Sequence, residues 1–167
     1  LWVETSTNAT KLTEDASRKI LDAGLDRIYL SMDGLTKETY EKVRVKGKFE
    51  EVLGNIERFL DLKHELGSPI EADIQIVRLS ETDAEVEEFV DRWKQTHADL
   101  INIKELDTWG GQIDDVNALE VEEPTEDVNA HRKPCPNLWY HCHIHWDGVL
   151  VSCSRDYDAV TPLAKAL

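Results

Sequence analysis

Three cysteines near the carboxyl terminus are the residues of this sequence best suited to chemistry. Cys135, Cys142 and Cys153 are its only cysteines and lie in the last fifth of the 167-residue chain. If two of them form a disulfide, one thiol is left over, and in a reducing compartment such clustering favours a metal site. Thiolates are common ligands of zinc and of iron–sulfur clusters. The three thiols are therefore candidate metal ligands.

The segment around Cys142 supports two interpretations. Residues 138–146 and 149–153 are typical of strands, and they flank Asp147-Gly148, a pair common in tight hairpin turns. Such a hairpin would bring Cys135 and Cys153 close to one metal ion. Alternation along the first strand would place Cys142 on one face and three histidines on the other, namely His141, His143 and His145. That row of histidines can bind zinc, or it can simply face solvent.

A second group of polar side chains follows the predicted strands of the first hundred residues. Ligands bind at the carboxyl ends of parallel strands, because the helices that follow direct their amide groups there. The candidates at these ends are Thr5, Thr7, Asn8, Ser31, Asp33, Arg78, Glu105 and Asp107. A hydroxyl such as Ser31 near the guanidinium of Arg44 suits a small zwitterion that carries a carboxylate. Alternatively, Thr7, Asn8 and Ser31 satisfy turn amides, while Arg44 pairs with a surface carboxylate.

Alternating strand-like and helix-like segments predict the scaffold that would position these residues. Helices are expected after Thr13, which is a good N-cap, and over 49–66, where apolar residues recur at helical spacing. Thr82 to Glu85 fits a capping box at the start of a further helix. Strands are expected near Val3 and over 27–32, 70–77 and 100–106. We therefore expect an α/β fold whose four strands are parallel neighbours in sequence order, followed by the Asp147-Gly148 hairpin.

The composition narrows the classes of partner. The formal net charge is −15, from 34 acidic and 19 basic residues, and no cluster of Lys and Arg interrupts the acidity. This balance argues against nucleic acid and anionic membrane as partners. The acidic excess is typical of a solvated surface, with adaptation to salt as the alternative. No apolar run is long enough to span a bilayer and no secretory leader is visible, so we expect a cytoplasmic protein.

Several of these segments resemble radical S-adenosylmethionine (radical SAM) enzymes. The motifs T-N-A-T (7–10), I-Y-L-S-M-D-G (28–34) and Y-E-K-V-R (40–44) resemble the third and fourth βα segments of that family. C-P-N-L-W (135–139) and I-H-W-D-G-V-L-V-S-C-S-R-D (144–156) are similar to the opening of the SPASM-type auxiliary iron–sulfur domain. Their order along nearly the whole chain strengthens the resemblance.

The resemblance implies a fold and a set of site residues. Residues 1–106 would form the second half of a partial (β/α) barrel, 107–134 an acidic linker, and 135–167 the start of a SPASM-like domain. Ser31, Arg44 and Asn8 would bind the amino-acid end of S-adenosylmethionine, whereas Asp33 would hold its loop. Cys135 and Cys153 would bind an auxiliary [4Fe-4S] cluster, with the role of Cys142 open. Asp156, three residues past Cys153, would be a candidate proton acceptor.

The resemblance also implies an activity and partners. The intact enzyme would reduce S-adenosylmethionine at a four-iron cluster and use the resulting radical to abstract hydrogen from a peptide, sugar or small-molecule substrate. Its electron donor would be a flavodoxin or ferredoxin. The C-x-x-x-C-x-x-C loop that holds the radical-generating cluster does not occur in this sequence. This chain by itself is therefore expected to be an inactive fragment. The alternative is a non-enzymatic zinc- or iron-binding α/β module.

Overall fold

The computed structural model describes residues 1–107, 116, 119 and 134–165, with the side chains of residues 137 and 138 left out. The chain divides into two compact units, one formed mainly by Leu1–Leu106 and the other containing the described residues 134–165. The predicted linker over 107–134 lies almost wholly outside the described residues. Within the described part of the chain, no helix is long and apolar enough to cross a membrane.

The first unit is a parallel sheet with helices between its strands. Its strands are β1 (Glu4–Thr7), β2 (Arg27–Ser31), β3 (Glu71–Arg78) and β4 (Leu100–Glu105), paired in the order β1-β2-β3-β4 with every pair parallel. The predicted α/β fold class and strand order are thereby confirmed. The first strand begins at Glu4, one residue beyond Val3, so Thr5 and Thr7 lie within β1.

Four helices connect these strands. They are α1 (Glu14–Asp22), α2 (Lys37–Val43), α3 (Phe49–Glu65) and α4 (Val86–Trp93), the last preceded by a 3₁₀ turn over Asp83–Glu85. Thr13 caps α1 as predicted, because its hydroxyl accepts a hydrogen bond from the Ala16 amide at 3.3 Å.

The sheet has one apolar and one polar face. Strand alternation directs Ile28, Leu30, Ala72, Ile74 and Ile76 into one buried cluster, which also contains Ile56, Phe59, Phe89 and Trp93 from α3 and α4. The opposite face carries Tyr29 and Ser31 of β2, which pair in register with Asp73 and Gln75 of β3. The helices thus cover the apolar face and leave the polar side chains of the strands on the other.

The predicted capping box at Thr82 is wrong. The Thr82 hydroxyl accepts from the Leu79 amide at 2.8 Å and donates to the Val77 carbonyl at 2.7 Å, so it closes the end of β3 and does not cap α4. The Glu85 carboxylate binds groups at the start of α2. The spacing of Thr82 and Glu85 predicted that each side chain would bind the backbone of the other. In the fold, Glu85 instead binds donors at the start of α2.

The second unit contains a short helix and an antiparallel sheet. The helix is α5 (Asn137–Tyr140), and the strands are β5 (His143–Ile144), β6 (Val149–Val151) and β7 (Pro162–Lys165), in the order β5-β6-β7. The expected strand over 138–146 is wrong in its first part, which is helical, and is confirmed only over His143–Ile144. The expected row of His141, His143 and His145 on one strand face is wrong too, since only His143 lies in a strand. β6 ends at Val151, two residues before Cys153.

The hairpin between β5 and β6 forms at the predicted place. The Gly148 amide donates to the His145 carbonyl at 2.9 Å, and the His145 amide donates to the Val149 carbonyl at 2.8 Å. Gly148 has φ +84°, the left-handed conformation that three-residue hairpin loops require and that glycine adopts without strain. The loop therefore contains Trp146, Asp147 and Gly148, one residue more than the two-residue turn that the sequence favoured.

Candidate functional site

A cavity of about 380 Å³ in the first unit brings two of the predicted ligand-binding residues together. It lies between the loop after β1 and the carboxyl end of α2. Asn8 and Arg44 both line it, and Ser31 is not among its lining residues. The remaining lining residues are Thr10, Tyr40, Val43, Val45, Lys46 and Gly47.

The loop after β1 is ordered by its own side chains. The Thr7 hydroxyl accepts from the Ala9 amide at 3.1 Å, and the Asn8 side-chain oxygen accepts from the Thr10 amide at 3.2 Å. The predicted alternative of turn-capping is thus correct for Thr7 and for the Asn8 oxygen. A backbone N–H can only donate, which fixes the Asn8 amide orientation and leaves its NH₂ group as the donor available to a ligand.

Helix α3 holds this loop through a side-chain hydrogen bond. Ala9 is fully buried with φ +57°, a conformation that a residue with a Cβ adopts only when its surroundings enforce it. The buried Asn55 side chain donates to the Ala9 carbonyl at 2.9 Å. This bond ties the strained position to α3 and thereby sets where Asn8 meets the cavity.

Arg44, the C-cap residue of α2, is bound by a buried carboxylate. Its Nε donates to Oδ2 of Asp33 at 2.6 Å, and its Nη2 contacts the same oxygen. The Asp33 side chain is 2% exposed, whereas that of Arg44 is 43% exposed. Arg44 thus forms an ion pair, as the alternative prediction had it, but the carboxylate is buried and not on the surface.

The loop after α2 closes the cavity around Arg44. The Gly47 amide donates to the Arg44 carbonyl at 2.7 Å, and a Cβ at position 47 would lie 2.8 Å from that carbonyl and 2.9 Å from the Tyr40 ring. Only glycine allows this approach. Burial raises the pKa of Tyr40, an effect that nearby Arg44 opposes, so the phenol is protonated at neutral pH.

The charges of the cavity favour an anion. Its eight lining residues include two cations, Arg44 and Lys46, and no carboxylate. Asp33 uses one edge of the Arg44 guanidinium, which leaves three N–H donors for a ligand. Together with the Asn8 NH₂ group, these donors match a carboxylate, which accepts two parallel hydrogen bonds from a guanidinium. The residues present therefore fit the amino-acid end of S-adenosylmethionine.

Ser31 lies at the carboxyl end of β2, on the polar face of the sheet opposite Gln75. The same face carries Asp73, which sequence reasoning missed. Asp73 is 3% exposed, its Oδ1 has no hydrogen-bond partner among the described residues, and burial raises its pKa. The signal was an acidic residue inside a predicted strand, between the apolar residues Ala72 and Ile74. Tyr40 was missed as well, although it lies four residues before Arg44 on one helical face.

The three cysteines do not form a metal site in the described part of the chain. Cys135 and Cys142 are exposed and Cys153 is half-buried, and among the described residues no group of three potential ligands is close enough to hold a metal ion. Cys153 alone shows a feature of metal-binding loops, because the Arg155 amide donates to its sulfur at 3.4 Å.

Both oxygens of Asp156 are occupied. The carboxylate accepts from the Thr161 hydroxyl at 2.7 Å, the Thr161 amide at 3.0 Å and the Val160 amide at 2.7 Å. The bonds from Thr161 and then that from Val160 hold the pKa of Asp156 below its usual value. A carboxylate with a lowered pKa is a weaker proton acceptor. The geometry favours closure of the loop before β7 over the predicted catalytic role, which stays a prediction.

Comparison with known proteins identifies the family of the first unit. The model of the Radical SAM superfamily matches residues 1–92. The chain is also 41% identical over 51 residues to a protein described as a probable GTP 3′,8-cyclase from Methanococcus maripaludis. That alignment covers 30% of this chain and 17% of the relative, so the chain spans less than a fifth of that protein's length. Since the family match covers more than half of the residues of this chain, the chain belongs to the radical SAM superfamily.

Proposed function

We propose that this chain is part of an enzyme that reductively cleaves S-adenosylmethionine and abstracts a hydrogen atom from a peptide, sugar or small-molecule substrate. The observation that carries the proposal is the cationic cavity where Arg44 meets the Asn8 loop, within the residues that match the family. Beside a reduced four-iron cluster, bound S-adenosylmethionine supplies a 5′-deoxyadenosyl radical, and the protein positions it and excludes water.

Three side chains of the cavity and the neighbouring Ser31 have separate parts in this proposal. Arg44 donates two parallel hydrogen bonds to the ligand carboxylate from the edge that Asp33 does not use. Asn8 donates through its NH₂ group, and Lys46 adds a second positive charge at the rim. Ser31, at the end of the neighbouring strand, supplies a hydroxyl to the same amino-acid end. None of these groups transfers a proton, so their contribution is affinity and orientation.

Binding measurements on the full-length, cluster-containing enzyme test these assignments. Removal of a charge-assisted bidentate contact corresponds to roughly 1.5–3 kcal/mol, or about 10- to 100-fold in affinity. Arg44→Ala should therefore weaken S-adenosylmethionine binding by at least tenfold in calorimetry, and Ser31→Ala by less. Lys42→Ala is the matched control, because Lys42 lies on the same helix with a side chain 70% exposed. Unchanged affinity in both site variants would contradict the assignment and leave Ser31 only a turn-capping role and Arg44 only its ion pair.

We further propose that residues 135–167 begin a SPASM-type iron–sulfur domain. The three-stranded antiparallel sheet and the hydrogen bond that the Arg155 amide donates to the Cys153 sulfur support this assignment. The full-length enzyme should contain iron and acid-labile sulfide after anaerobic reconstitution, and Cys153→Ser should lower the content of both. Zinc without sulfide would instead support the alternative of a non-enzymatic metal-binding module, because zinc sites contain no inorganic sulfide.

The proposed enzyme would receive electrons from a flavodoxin or ferredoxin in the cytoplasm. This chain by itself should not cleave S-adenosylmethionine, since it lacks the cysteine loop of the radical-generating cluster. Anaerobic incubation with iron, sulfide, reductant and S-adenosylmethionine should yield no 5′-deoxyadenosine above a control without protein. Its formation would contradict the need for cysteines outside this sequence.

A further inference from the structure

The carboxylate of Asp33, in the loop after β2, is almost completely buried, which is unusual for a charged loop residue. Its side chain is 2% exposed, and a buried carboxylate is stable only when hydrogen bonds and an opposite charge compensate its lost hydration. Oδ1 accepts from the Val77 amide at 3.1 Å, and Oδ2 accepts from Arg44. Asp33 thus joins three elements: the loop after β2, the end of β3 and the C-cap of α2.

This arrangement fixes Arg44 to the sheet as well as to its own helix. Arg44 ends α2 with φ −102° and ψ 82°, so its backbone has already left the helical conformation. A free arginine side chain loses about 2 kcal/mol of rotamer entropy when it is fixed in place. The bonds to Asp33 restrict the guanidinium before any ligand arrives, and such preorganisation lowers the entropic cost of binding.

The two edges of the guanidinium then have different partners. The edge formed by Nε and Nη2 faces Asp33, which leaves the other donors of the half-exposed Arg44 side chain for the cavity that this residue lines. Asp33 also neutralises part of the Arg44 charge, which weakens attraction to an anion. Lys46 supplies a second cation on the same cavity. The site therefore combines a fixed hydrogen-bonding fork with a separate, exposed positive charge.

We propose that Asp33 is a positioning residue for ligand binding: it holds the Arg44 guanidinium, through a bond to β3, in the orientation that receives the ligand carboxylate. This inference rests on the proposed function of Arg44. Asp33 does not touch the ligand, and its effect on affinity passes through Arg44.

A double-mutant cycle on the full-length, cluster-containing enzyme tests this route. Asp33→Asn keeps an oxygen for the Val77 amide and removes the charge that holds Arg44. Asp33→Asn should weaken S-adenosylmethionine binding roughly five- to tenfold, and Arg44→Met at least tenfold. In the Arg44→Met background, Asp33→Asn should change affinity less than about twofold, because residues that act through one another are not additive. Equal losses of affinity from Asp33→Asn in the wild-type and Arg44→Met backgrounds would show a purely structural role of Asp33. That result would overturn this inference and leave the proposed function of Arg44 intact.

Two further outcomes separate the inference from the proposed function. If Arg44→Met leaves affinity unchanged, the assignment of Arg44 fails, and the positioning role fails with it. Nitrogen-15 NMR of this wild-type chain needs no variant: the Arg44 Nε–H should exchange with water more slowly than that of Arg18, whose ion pair with Glu14 is exposed. Equal exchange rates would mean that Asp33 does not restrain Arg44 in solution, and would overturn the inference even if Asp33→Asn fails to fold.

Discussion

Glu85 is predicted to stabilise the first unit by holding the start of α2. Its carboxylate accepts from the Leu35 amide at 2.6 Å, the Thr39 hydroxyl at 2.6 Å and the Thr36 hydroxyl at 2.9 Å. These donors lie 46 to 50 residues away along the chain, so the bonds depend on tertiary structure. Glu85→Ala removes all three, whereas the N-cap bond from the Thr39 amide to the Thr36 hydroxyl remains.

The expected loss follows from the surroundings of each bond. A hydrogen bond to a charged group contributes about 1.5–3 kcal/mol when buried and less when water can replace it. Two of the three bonds are partly buried and one is exposed. We therefore expect Glu85→Ala to lower the free energy of unfolding by about 2–3 kcal/mol. Glu85→Gln, which keeps one oxygen acceptor, should cost about 1 kcal/mol.

The pH dependence of this contribution has a definite sign. Burial opposes ionisation of Glu85, but the hydrogen bonds from Thr39, Leu35 and Thr36 outweigh it and lower its pKa below 4.5. A lowered native-state pKa means that the stabilisation is present above the unfolded pKa and is lost as the pH falls through the native value. The difference between the wild type and Glu85→Gln should thus be largest near neutral pH and shrink as the pH falls through the lowered native-state pKa of Glu85.

Urea unfolding followed by far-ultraviolet circular dichroism measures these changes. Of the described helices, all but the four-residue α5 belong to the first unit, so the helical signal reports mainly on that unit. Glu88→Gln is the matched control, since Glu88 is an exposed carboxylate on α4. A loss below about 0.5 kcal/mol in Glu85→Ala, or one equal to the control, would refute the reasoning, because surface changes are usually that small.

Three further predictions concern contacts within the two units. Lys63, with a side chain 10% exposed, pairs with Asp99 at 2.8 Å, and Asp99 also accepts from the Ala72 amide at 2.7 Å. In urea unfolding, Asp99→Ala should lower the free energy of unfolding by about 2–4 kcal/mol and Lys63→Met by less; the reverse order would contradict this prediction. Gly47→Ala should cost about 1–3 kcal/mol and weaken ligand binding, because its Cβ would collide with the Arg44 carbonyl; unchanged stability and affinity would count against the cavity geometry. Asp156→Ala should speed hydrogen exchange at the Val160 and Thr161 amides without shifting the unfolding midpoint of the helical signal, and unchanged exchange would exclude its loop-closing role.

Much of the first unit was predictable from the sequence because its signals are local. Alternation of strand and helix patterns is typical of parallel βα units, and such units pair in sequence order when their connections are short. The cap at Thr13 needed only a hydroxyl three residues before an amide. Residue types at the strand ends likewise pointed to Asn8, although not to the fact that Thr10 already uses its oxygen.

The second unit shows where local signals fail. Residues 138–146 contain alternating apolar and polar side chains, yet α5 occupies the beginning of this segment. A short apolar run is compatible with strand or helix, and its neighbours in the fold decide between them. The Asp147-Gly148 pair marked the hairpin correctly, because a left-handed glycine is a requirement of the turn itself.

The sequence by itself determined the α/β class, the parallel order of the four strands and the family, because periodicity and short motifs carry that information along the chain. Only the tertiary structure decided which carboxylate meets which cation or helix start. With 34 acidic residues, spacing could not single out Asp33 for Arg44 or Glu85 for α2. Asp33 and Arg44 are 11 residues apart and meet because α2 folds back beside the end of β2, whereas Glu85 reaches the start of α2 from 46 to 50 residues away. Burial then makes each hydrogen bond costly to lose.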